Sequence, residues 1–263
     1  MTALPIRADV PINIHPDVLS PLAEALEAKP GALASAQQAL GDAYRFLGAV
    51  EDAERALVAL AASESPARRR QTPDGRSEYL GDLRLASNGL RQFSGREEEL
   101  AEAAAVRLEA VTKRLDATRA SLQETANTLD KAVDFALTDD NPATRALAAE
   151  VRAHVKGLPA KERFGFLQNA TKEGDHATVA AVLGGQPFLS GLKTEEWAQV
   201  RIAAARTFAA KAVAEREAVG KLLDAIDGAG SAVIARFQKV QAGKDTPRAK
   251  ANRELAALKG GKA

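Results

Sequence analysis

Cysteine is absent from the 263 residues, which excludes disulfides and thiolate metal sites. Aromatic residues make up only 4%, with one tryptophan and two tyrosines. Histidine occurs three times, at His15, His154 and His176, and none has a His or Cys neighbour at metal-ligand spacing. An excess of one charge sign is also missing. The 36 basic and 35 acidic residues are interspersed and leave a formal net charge of +1, so composition gives no general reason to expect nucleic acid or an anionic membrane as partner. The longest uncharged run, Ala177 to Leu192, is interrupted by Gly184, Gly185, Pro187 and Gly191 and is too short to span a bilayer. Met1-Thr2-Ala3-Leu4-Pro5 lacks the basic and apolar regions of a signal peptide, so none is expected, and the chain reads as soluble.

Alanine fills the space these absences leave, at 57 of 263 residues. It is the best helix former and the poorest filler of volume. The bias predicts many closely packed helices with thin contacts and little room for a ligand cavity. Runs of β-branched residues are almost absent, which argues against a sheet. The expected class is all-α.

The stretch from Arg96 to Leu137 organises the rest. Leu108, Leu115, Leu122 and Leu129 recur every seven residues, with Val111, Thr118, Thr125 and Ala132 three positions after them. Ser94-Gly95-Arg96-Glu97 has the form of a capping box, and Asn141-Pro142 marks the far boundary. At 1.5 Å per residue the rod would be about 60 Å long. A second long helix is predicted over 32–63, with Leu33, Leu40 and Leu47 at sevens. Gly41 and Gly48 weaken that helix and would let a neighbouring helix approach closely. A third is predicted over 195–241, capped by Thr194, with Gly228 and Gly230 able to kink or split it. The weak Thr118 and Thr125 row favours packing of the leucines within the chain over a two-stranded zipper.

Other segments are shorter. Pro5, Pro11, Pro16 and Pro21 punctuate residues 1–20, an expected extended arm in which Ile12-Asn13-Ile14 could either pair with another surface or lie on the chain's own helices. Ser20-Pro21 starts a short helix that stops before Lys29-Pro30-Gly31. A loop follows over 65–76 and a short helix over 77–87. Helices are predicted at 142–156, 160–173 and 176–183, capped by Asn141 at the first and Asp175 at the third. Phe164, Phe166 and Phe188 fall close together and suggest a compact knot of short helices. The expected architecture is an elongated antiparallel bundle (21–138 plus 195–242), a short-helix subdomain (139–194), the arm (1–20) and a basic tail (243–263).

Chemistry is thinly represented. No phosphate loop or nucleophile elbow occurs. Asp139-Asp140-Asn141 reads as a cap before a metal site, and Glu97-Glu98-Glu99 as a first helical turn before a catalytic pair. No catalytic residue, cofactor or metal is assigned. Arg68, Arg69 and Arg70 are candidate phosphate contacts, although a solvated loop or an intrachain partner for acidic residues is the preferred reading, and the tail from Lys244 carries six basic residues against two acidic ones. Phe188 and Leu189, in the connector Pro187–Leu192, are candidate docking residues together with Ile12 and Ile14. A buried Phe188-Leu189 pair would instead pin the short helices in place, and that reading is preferred.

Gly174–Leu183, Gln186–Leu192 and Glu195-Glu196 together resemble uncharacterised helical proteins encoded in tailed-phage and prophage regions of proteobacteria. The resemblance covers about 25 residues and the Ala-rich flanks. It implies a virion-associated or assembly protein and no functional residues. The expected function is therefore non-enzymatic: a helical scaffold whose partners are other protein subunits, copies of itself or virion proteins. Synthesis in the cytoplasm is expected, with a virion as the further location that the resemblance implies. A nucleic-acid-associated protein is the alternative.

Overall fold

A computed structural model describes residues 4–64, 69–71, 77–79, 97–139 and 141–244, without the side chains of 60–98, 243 and 244. The fold is all-α. Among the described residues the helices are α1 (Pro30–Glu64), α2 (Glu97–Ala136), α3 (Pro142–Gly157), α4 (Ala160–Glu173), α5 (His176–Leu183), α6 (Thr194–Phe208) and α7 (Ala210–Lys244). Between α1 and α2, the strands β1 (Arg69–Gln71) and β2 (Ser77–Tyr79) pair antiparallel, Arg70 opposite Glu78. The helix expected from Ser77 thus begins as a strand, its first three residues paired with Arg69–Gln71. Residues 80–87 of that expected helix and most of the Ser94–Glu97 capping box lie outside the described residues.

Two compact units form: Met1–Val18, Ser35–Thr118 and Ala225–Ala263 in one, Leu19–Ala34 and Arg119–Asp224 in the other. The division cuts through α1, α2 and α7 instead of separating long helices from short ones.

Along α2 the leucine row is buried at Leu115, Leu122 and Leu129, with Leu108 half-buried. Its companion row follows the sevens through Ala104, Val111 and Thr118 and then shifts by one residue. Ala126 is fully buried where Thr125 was expected; Ala132 is exposed, and the half-buried Val133 and then Leu137 continue the stripe. From Leu122 the steps are four, three, four and four, close to the 3.67-residue repeat of an untwisted or slightly right-handed helix face. A straight helix of 3.6 residues per turn cannot hold a strict heptad stripe over this length.

In the first unit α1 is enclosed on most sides from Ala39 to Val50, with Leu40 and Leu47 buried; Leu33, in the other unit, is half-buried. Arg236 of α7 reaches α1, 2.9 Å from Glu51 and 2.6 Å from Glu54, and Glu54 is itself buried.

In the second unit, Leu137, Val155, Leu167, Val179, Val182, Leu192 and Val200 make the core of the short helices. α3 packs on α5, and α4 on α6. The caps read from the sequence are present: Asn141 Oδ1 accepts from Ala143 N at 3.0 Å, and Asp175 Oδ1 from Thr178 N at 3.1 Å. At α6 the cap is not Thr194; the residue before it, Lys193, donates its backbone N–H to Glu196 Oε2. The single helix expected over 195–241 is divided at Ala209 (φ −127°, ψ 31°). α7 runs through Gly228 and Gly230 unbroken, because the fully buried Ala229 between them packs tightly enough to override a propensity cost of roughly 1 kcal/mol each.

Candidate functional site

The arm is not extended. Prolines at 11, 16 and 21 each fix φ and remove a donor, which leaves short 3-10 structure as the economical arrangement: three residues at Ile12–Ile14 and seven at Pro16–Leu22. The α-helix expected from Pro21 is absent for the same reason, and residues 23–28 are turns. Ile14 is 1% exposed and belongs to the core, whereas Ile12 is 55% exposed.

Gly41 and Gly48 of α1 receive this arm, not a helix. A Cβ on Gly41 would lie 3.5 Å from Pro16, and one on Gly48 3.1 Å from the Arg7 guanidinium. Tyr44 stands between them, its hydroxyl accepting from Arg7 N at 2.6 Å. Buried His15 donates from Nε2 to Leu4 O, accepts at Nδ1 from Asp17 N, and meets the Tyr44 ring edge-on at 5.0 Å. At the rim Arg7 grips Asp52 through both terminal nitrogens and Asp9 through Nε and Nη2, while Arg55 holds Asp9 from the other side. The shared guanidinium keeps both carboxyls below the usual aspartate range and raises the pKa of Arg7. This network fastens the arm to α1.

The connector after α5 is the opposite case. Pro187–Leu189 forms a 3-10 turn held by its backbone: Ser190 N and Leu192 N both donate to Pro187 O, and Gly191 N to Phe188 O. Gly191 sits at φ +68°, a conformation that disfavours a Cβ. Arg163 of α4 then donates to three carbonyls, those of Lys156, Leu158 and Gly191. Ser190 and Leu192 are buried, yet Phe188 is 65% exposed and Leu189 is exposed as well. The preferred expectation of a buried Phe188-Leu189 pair is corrected here: the polar bonds fix the turn, so its apolar side chains are free to face outward. In the same unit Phe135, Leu147, Phe166 and Ile202 are also exposed.

Several outward residues escaped the sequence reading. Phe135 and Ile202 lie beside Asp134 and Arg201, which are ion-paired. The histidines, scattered in sequence, each meet an aromatic ring edge: His154 with Phe166 and His176 with Phe208, besides His15 with Tyr44. Spacing alone carries no sign of such pairs. Asp139 accepts from Asn141 N, and its carboxyl is held below the usual range first by the Thr144 hydroxyl and then by that N–H. Arg68 and the side chains of Arg69 and Arg70 lie outside the described residues, as do Asp140 and the tail beyond Lys244. Among the described residues no helix is long and apolar enough to cross a membrane.

Compared with protein-family models, curated proteins and solved structures, the chain matches none.

Proposed function

We propose that this chain is a non-enzymatic structural protein that assembles with other protein subunits, copies of itself included, through apolar side chains on its short-helix unit. The observation that carries this reading is the pair Phe188 and Leu189, exposed on a turn whose backbone is held by hydrogen bonds from Leu189, Ser190, Gly191 and Leu192 N–H. Displaying a phenylalanine to water forgoes roughly 2 kcal/mol of burial. On a turn fixed by Arg163 and Gly191 that side chain is preorganised, so docking it against another subunit incurs little ordering entropy. The long helices α1, α2 and α7 supply the scaffold. A virion or prophage assembly is the setting that the resemblance around 174–196 suggests.

Light scattering of the full chain over a concentration series tests the proposal. The expected result is a mass that climbs above the monomer with concentration, and a Phe188→Asp/Leu189→Asp double variant that stays monomeric with unchanged helical content. A monomer at every concentration in both proteins would remove the reading.

A further inference from the structure

A second feature lies within the first unit. α1 and α2 enclose a cleft of about 440 Å³ between two matched stripes, Asp42, Arg45, Phe46 and Ala49 on one side and Arg107, Ala110, Val111 and Arg114 on the other. Each stripe follows the i, i+3, i+4, i+7 spacing of one helix face. The sequence reading missed the cleft because its charges come from helices more than fifty residues apart and look like ordinary solvated faces.

The cleft is electrostatically lopsided. Among the described residues that line it the one carboxylate is Asp42, shared between two arginines, accepting from Arg45 at 2.9 Å and from Arg114 at 2.6 Å. Arg107 makes no ion pair among the described residues, although it sits two helical turns, about 10 Å, from Arg114 on the same face. Three guanidiniums against one carboxylate leave an excess of two positive charges over a small floor in which Phe46 and Val111 are buried. Guanidinium groups bind oxyanions through paired N–H donors, and a dianion matches the excess where a monoanion does not.

We propose that this cleft is a binding site for an organic phosphate: a phosphate monoester dianion held by Arg107 and Arg45, with its apolar group laid over Phe46 and Val111. Asp42 keeps Arg45 and Arg114 oriented while the site is empty. The phosphate joins that network without displacing Asp42, because Arg107 brings donors the carboxylate does not use.

Titration of the full chain with phenyl phosphate at low salt, followed through the methyl resonances of Val111 and the ring resonances of Phe46, tests the site. Saturable binding is expected, weakening steeply as salt is added. Phenylacetate, with one charge, and inorganic phosphate, without the ring, should each bind at least about tenfold more weakly. Arg107→Gln, an exposed change that leaves helical content intact, should weaken phenyl phosphate by about tenfold. Lys113→Gln, on the same helix but not lining the cleft, should leave it unchanged. Equal affinity for phenyl phosphate and phenylacetate, equal loss in both variants, or no saturable shift at Val111 and Phe46 would each overturn the proposal.

Discussion

Ile12–Ile14, which follows Pro11, and Pro187–Leu189, which begins with its proline, are both three-residue 3-10 turns with two large apolar side chains, and they end in opposite places. In the first, Ile14 is buried and the arm around it lies on Gly41, Tyr44 and Gly48. In the second, Phe188 and Leu189 point to solvent while Arg163 and the buried Ser190 hold the backbone. Local structure does not decide the fate of an apolar side chain. What decides it is whether the chain offers a bed for side chains, as α1 does with two glycines one heptad apart, or fastens the backbone with polar bonds instead.

The comparison can be broken most forcefully at the arm. Tyr44→Ala removes the ring that His15 packs against and the hydroxyl that accepts from Arg7 N. It should cost about 3 kcal/mol in denaturant unfolding; a loss below about 1 kcal/mol would mean the arm is not anchored there. At the other turn, Gly191→Ala places a Cβ 2.6 Å from Arg163 Nη1 in a left-handed conformation. The expected cost is about 1–3 kcal/mol, read through the emission of Trp197, the one tryptophan, which packs against the core of that unit. An unchanged Trp197 transition would show that the turn is not fixed by this contact.

Acid should sharpen the contrast. Asp9 and Asp52 have folded pKa values below those of the unfolded chain, so their contribution is complete above about pH 4 and is lost as pH falls below it. The Arg163 bonds go to carbonyls and carry no such dependence. On acidification the Tyr44 ring resonances should move toward unfolded positions before Trp197 emission changes, and simultaneous loss of both signals would contradict the distinction. The smallest effect is expected at Phe188→Ser, a change within about 0.5 kcal/mol of neutral for stability, checked by the same unfolding measurement. A cost of several kcal/mol would place that ring in the interior.

Much of the fold was legible. Alanine content and sevenfold leucines gave the helices, and Asn141, Asp175 and the Gly157-Leu158-Pro159 stop gave the boundaries of the short ones, because caps and breakers act within a few residues. The shift of the α2 stripe after Leu122 was not legible as a heptad, since helical drift accumulates over a longer span than four repeats reveal. The break at Ala209 has neither proline nor glycine to announce it. The candidate surfaces were the hardest part. Ile12 and Ile14 carry equal apolar signals, and only the bed on α1 separates the buried one from the exposed one. The arginine cleft needs α1 and α2 side by side before it exists at all.

Hydroxyl-radical footprinting of the full chain at low and high protein concentration tests the central claim most directly. Strong oxidation of Phe188 and Leu189 is expected in dilute protein, with their protection in concentrated protein and protection of Tyr44 and Ile14 in both. Protection of Phe188 in dilute protein, or oxidation that does not change with concentration, would contradict it.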